Sequence, residues 1–123
     1  MPRTELTVQE INRAGIDPAY SAADATNDHS FDNTTQEVFV HIINGGVGAI
    51  NATFITSKVI DGISVGDLVI NIPASEDRMV GPFRNDLYGS EDEPNGLTKA
   101  VLIDLDGDTS VTLAALALGD VNY

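Results

Sequence analysis

The chain has 123 residues, a mass of 13.0 kDa and 42% hydrophobic residues, which fits one domain, residues 1–123, with a single buried core. It contains no cysteine, which excludes disulfide frameworks, thiolate metal sites and cysteine nucleophiles. Nineteen acidic residues against six basic ones give a net charge of −13, which repels phosphate backbones and anionic membrane faces, so neither nucleic acid nor a membrane is expected as a partner.

The acid excess, 13 Asp against 2 Lys, fits either solubility through self-repulsion or adaptation to high salt, and composition leaves both open. The first residues, Met1-Pro2-Arg3-Thr4-Glu5, lack the basic start and apolar stretch of a secretory signal. The longest apolar run, residues 111–118, is interrupted by Thr112 and is too short to cross a bilayer.

In chain order, Thr7-Val8-Gln9-Glu10 fits a capping box that would start a short helix over residues 11–14, ending at Gly15. The same stretch also reads as a strand over residues 5–9 with Leu6 and Val8 facing inward. Residues 17–35 are polar and read as a long loop, so residues 1–35 form an extended or short-helical arm and loop ahead of the core strands.

Over residues 38–43 and 50–55 the apolar pattern alternates as in buried strands, and Asn44-Gly45-Gly46 between them is a hairpin signal with positive φ. Asp61-Gly62 turns the chain again, and residues 67–72 form a third strand that Pro73 ends or places at an edge. Residues 78–80 are a short extended piece, Gly81-Pro82 breaks it, and Phe83 turns back into the core. Packing accounts for nearly every apolar residue from Gln36 to Phe83. Residues 85–97 read as loop; strands at 99–105 and 110–118 follow, joined by Asp106-Gly107-Asp108, and residues 119–123 are a frayed tail. Core strands over 36–118 with turn chemistry between them predict an all-β fold, an antiparallel β-sandwich or small barrel, jelly-roll-like.

Little in this pattern points to catalysis, and no enzyme activity is expected. No Gly-x-Ser-x-Gly elbow is present, and no glycine-rich phosphate cradle opens a helix. His41 sits mid-strand, as a packed or interfacial histidine does; His29 lies in the polar loop, where a stabilising hydrogen bond is the expected use. Asp104, Asp106 and Asp108 alternate as calcium ligands can, but the sixth and twelfth positions of a calcium loop would be Thr109 and Ala115, so a turn centred on Asp106-Gly107 is the simpler reading. No cofactor is expected. Tyr20, Phe31, Phe83 and Tyr88 are loop aromatics that either plug corners of the core or stack on a ligand.

Three pieces occur in a distinctive order: His29-Ser30-Phe31 before the first long strand, Asn44-Gly45-Gly46 after it, and residues 78–83 ending Gly81-Pro82-Phe83, followed by Tyr88. With the Leu6-Thr7-Val8 opening and the closing Val111-Thr112-Leu113-Ala114 strand, this order resembles small head proteins of tailed bacteriophages and related viruses. The resemblance spans residues 4–118 and implies a capsid decoration, or cement, protein with no catalytic residues. It implies assembly in the host cytoplasm onto the virion's outer capsid surface, the major capsid protein as partner, and a homotrimer. Pro2, Arg3, Thr4, Leu6 and Val8 of the arm, with Phe31 in the loop, are the expected contacts, because extended arms order on binding. The chain departs from the pattern in its acidity and in Glu91-Asp92-Glu93. A sugar-binding or host-attachment β-module, and a place at the head–tail joint or tail, are the alternatives.

Overall fold

Inside–outside alternation along the strands builds two facing sheets, seen in a computed structural model that describes residues 2–56 and 59–118. The first sheet runs in the order β1 (Thr4–Glu5), β4 (His29–Asp32), β12 (Leu97–Leu105), β6 (Ile50–Ile55) and β9 (Leu68–Ile72), with β11 (Ser90–Asp92) also along β12. The second runs β10 (Glu76–Val80), β5 (Val38–Asn44), β13 (Val111–Ala117) and β2 (Val8–Glu10), with β3 (Ser21–Ala22) also on β13. A separate two-stranded ribbon pairs β7 (Val59–Ile60) with β8 (Ile63–Ser64). The fold is the expected all-β sandwich. The expected frayed tail, residues 119–123, lies outside the described residues.

One apolar core fills the space between the sheets. Val38, Val40 and Ile42 of β5, Ala52 and Phe54 of β6, Val101 and Ile103 of β12, and Val111, Leu113 and Ala115 of β13 point into it from alternate positions. Phe83 closes one end, as expected of the residue after the Gly81-Pro82 break: its ring lies 5.1 Å from Phe54, 5.2 Å from Tyr88 and 6.0 Å from Phe31. The backbone leaves no room for a side chain just before this point. Gly81 has φ of 136°, and a Cβ there would lie 2.8 Å from Phe39 Cβ.

At the N-terminus the strand reading prevails over the capping-box helix. Thr4 and Glu5 pair in parallel with His29 and Ser30, and Val8–Glu10 in parallel with residues 115–117. Leu6 is buried between these two stretches, and its amide donates to Ser30 O at 2.8 Å. A single helical turn costs more to nucleate than it returns, so sheet pairing and burial of Leu6 decide the segment. The loop expected over residues 17–35 likewise contains β3 and β4, and 85–97 contains β11 and a 3₁₀ turn over Glu93–Asn95.

Two expected hairpins are corners between sheets. β5 and β6 leave Asn44-Gly45-Gly46 for opposite sheets, and β12 and β13 do the same at Asp106-Gly107. Positive φ is absent at Gly45, Gly46 and Gly107, and the two corners are joined by Gly45 N donating to Ser110 O at 2.9 Å. Asp61-Gly62 does make a hairpin, with φ of 52° and 79° in succession, the left-handed pair a two-residue turn requires.

Candidate functional site

The three aspartates read as a possible calcium site do not converge. Asp104 forms an ion pair with Arg3 at 2.8 Å; Asp106 accepts from the Asn51 amide N–H at 2.7 Å; Asp108 accepts from the Ala25 N–H at 3.0 Å. Each carboxylate is a tie between neighbouring segments. Among the described residues no group of three or more His, Asp or Glu is placed to hold a metal ion.

The residues expected to meet a partner divide sharply. Pro2 and Thr4 are exposed and Val8 is half-buried, but Leu6 and Phe31 are core residues, 2% and 0% exposed. Leu6 and Phe31 cannot reach a partner without unfolding the sandwich, because the parallel pairing of β1 with β4 turns both into the core. Arg3 is committed inward: its guanidinium donates to His29 O and Ile103 O, both at 3.2 Å, as well as pairing with Asp104. The arm expected to order on a partner is already ordered on its own body.

The same region holds a buried polar network. The Ser30 hydroxyl donates to the Asp92 carboxylate, and Asn95 Nδ2 donates to Asp92 Oδ2 at 2.8 Å and to Arg3 O at 2.9 Å. His29 is fully buried beside it; its Nε2 accepts from Asp24 N at 2.9 Å, so its Nδ1 carries the proton and donates to Thr4 O at 3.1 Å. Burial pushes the His29 pKa down, against the raising effects of the Thr4 carbonyl and of Asp24 and Asp28. Asp24 is held below the usual carboxylate range by the Asn27 and Thr26 amides, the Asn27 side chain and the Thr4 hydroxyl. The hydrogen-bonding role expected for His29 is thus present, in a strand instead of a loop.

No family model, curated protein or solved structure matches the chain. Function must therefore be argued from its own surfaces.

On the outer face of the second sheet, Tyr20 Oη lies 2.7 Å from His41 Nδ1, and His41 Nε2 lies 2.5 Å from Asp77 Oδ2. A carboxylate only accepts, so Nε2 carries a proton, and in the neutral ring Nδ1 takes the tyrosine's hydrogen bond. Tyr20 starts on one side of β13 and His41 lies on the other, where it pairs with Ala114. The small Ala114 side chain leaves space for the phenol to cross the strand. Gln9 acts beside it as a false strand residue, its Nε2 donating to Ala19 O and its Oε1 accepting from Ala19 N, both at 2.8 Å. These contacts strap residues 10–20 to the sheet, next to a groove of about 290 Å³ lined by Glu5, Thr7, Gln9 and Ser21. Sequence reading placed His41 on its strand but had no signal that Tyr20 or Asp77 would reach it.

The other surface is apolar. Packing was expected to absorb nearly all the apolar residues of 36–83, yet Ile63 is 72% exposed, Val69 56%, Val59 54% and Ile60 51%. The first, third and fourth of these make up most of the β7–β8 ribbon, and Val69 points outward from β9, the edge of the first sheet. A run of β-branched residues around one tight turn, beyond what the core strands require, was the available signal for this projection.

Proposed function

We propose that this chain is a structural virion protein, a decoration protein that binds the outside of a viral capsid shell and stabilises it. The observation that carries the reading is that several landmarks of the head-protein resemblance are core or corner residues of this sandwich. Phe31 and Phe83 meet in the core, and Asn44 is buried at the corner between sheets. His29, Ser30, Phe31, Asn44 and Phe83, which carry much of the resemblance, are buried, which supports a shared scaffold.

The surface suits the role. A charge of −13 keeps the protein off packaged nucleic acid. A sandwich with its N-terminal strands locked in place is a rigid body that adds stability by binding only the assembled shell and not its free subunits. The test is to mix the purified protein with shells assembled from a major capsid protein of the same genome, measure co-sedimentation, and heat the shells. Saturable binding and a raised shell disruption temperature are expected. Absence of binding, or a virion stoichiometry of six or twelve copies at the tail, overturns the reading.

A further inference from the structure

We propose that His29 and the turn over residues 24–28 form an acid-operated latch, which releases β1 from β4 while the rest of the sandwich stays folded. The latch belongs to the fold and does not depend on the capsid reading. Both residues of β1 are exposed, so little apolar burial holds this strand. Polar ties hold it instead, and most of them converge on the latch. Thr4 N donates to Asp28 O at 2.9 Å, and the Thr4 hydroxyl to Asp24 Oδ2 at 3.2 Å. His29 Nδ1 donates to Thr4 O at 3.1 Å, and the Arg3 guanidinium to His29 O at 3.2 Å. Leu6, buried just beyond β1, is where the freed segment pivots.

His29 is the pin. Its Nε2 accepts from Asp24 N at 2.9 Å, so one neutral ring joins the turn to the strand. A second proton on that ring can sit only on Nε2, where it faces the Asp24 N–H, a donor against a donor. The residue is 0% exposed, so the charged ring reaches solvent only if the turn swings away. Asp24 and Asp28 face the ring from the turn and favour its charge, but burial outweighs them and the Arg3 guanidinium adds a like charge. Asp104 on β12 pairs with Arg3, and Asp92 on β11 accepts from Ser30. Two further carboxylates tie the turn to the body, Asp28 accepting from Leu105 N and Asp108 from Ala25 N, both at 3.0 Å. The Asp24 carboxylate is the second stage: the Asn27 amide and the other donors that order the turn hold its pKa below 3.8. The folded pKa of His29 lies below 6.5, so the closed form is fully favoured above 6.5 and loses ground as pH falls toward the lowered value. The Asp24 contribution is present above 3.8 and is lost as pH falls through its own lowered value. Both titrations therefore open the same turn, His29 first, and the release of β1 bares the outer edge of β4.

Amide hydrogen exchange on the full chain, read by NMR between about pH 7 and about pH 5 and corrected for intrinsic rates, tests this. Protection of the Thr4, Asp24 and Asp28 amides is expected to fall about tenfold or more over that range, while the amides of β5 and β13 keep theirs. His29→Gln supplies an acceptor for Asp24 N and a donor for Thr4 O but does not titrate, so its protection is expected to stay level across the range. Three results overturn the latch: wild-type protection at these amides that does not change, a loss shared equally by β5 and β13, or a Gln variant that loosens in acid as the wild type does. If the variant does not fold, the wild type decides alone. Its loss of protection must then follow the NMR titration of the His29 ring, and a loss that does not follow it overturns the latch.

Discussion

Asn44 offers the sharpest test of how the two sheets are joined. It is 1% exposed; its Nδ2 donates to Gly48 O at 2.9 Å and Ile72 O at 3.1 Å, and its Oδ1 accepts from Gly46 N at 3.0 Å. One amide thus fixes the β5–β6 corner and the end of β9. Asn44→Ala strands the Gly46 N–H and the Ile72 carbonyl in the interior. At about 1–3 kcal/mol for each buried group left unpaired, the loss should be about 3 kcal/mol. For a domain of this size that corresponds to roughly 12 °C in Tm. Asn44→Asp adds a second signature, because it keeps the acceptor for Gly46 but turns a carboxylate toward two carbonyls. That repulsion favours the protonated form, so the folded-state pKa of the introduced acid is raised. Its destabilisation is full above that pKa and eases as pH falls through it, when the carboxylic acid regains a donor. Urea unfolding followed by CD at several pH values measures both. A loss below about 1 kcal/mol for Asn44→Ala, or an Asn44→Asp penalty that does not ease in acid, refutes the assignment of Asn44 as the tie between the β5–β6 corner and the end of β9.

Three further outcomes are expected. Because burial lowers the His29 pKa from 6.5, the unfolded chain takes up a proton first as pH falls, so stability is full above 6.5 and declines toward the lowered folded value; an NMR titration midpoint for His29 below 6.5 checks the direction. Phe83→Ala removes the ring that touches Phe31, Phe54 and Tyr88, and should cost about 3–5 kcal/mol in chemical denaturation. Gly81→Ala forces a side chain against Phe39 at a φ of 136° and should cost more than about 1 kcal/mol, measured the same way.

The legible part of the fold was the part written in side-chain alternation. β5, β6, β9, β12 and β13 follow their apolar patterns to within a few residues, because a strand with one face in the core must place its side chains at period two. β4 stayed hidden because His29, Ser30 and Asp32 look like loop chemistry; the first two are buried with their polar atoms satisfied by Asp24, Thr4 and Asp92, of which Thr4 and Asp92 are remote in sequence. The corners failed for a related reason. Asn44-Gly45-Gly46 and Asp106-Gly107 show that the chain turns, but turn chemistry does not say whether the next strand joins the same sheet or the facing one. Two of the expected contact residues, Leu6 and Phe31, are buried in the core for the same reason. Leu6 looked like part of a free arm because its parallel neighbours, β4 and β13, lie far along the chain.

The order in which the strands are made has a consequence for how the protein comes into being. β12 and β13 occupy the middle of their respective sheets, yet they are the last two strands along the described chain. On the ribosome β4 waits for β12, and β2 and β3 wait for β13, so neither sheet has its centre until nearly all of this sequence has been synthesised. At ordinary translation rates the interval between the end of β4 and the end of β13 is roughly 4–17 s. During it β5 and β6 each display a bare hydrophobic edge where their central neighbour will lie. A nascent chain interrupted before Leu97 lacks, in each sheet, the strand that joins its two halves. Such a fragment exposes unpaired hydrophobic edges, and synthesis through β13 is the step that commits this sequence to its fold.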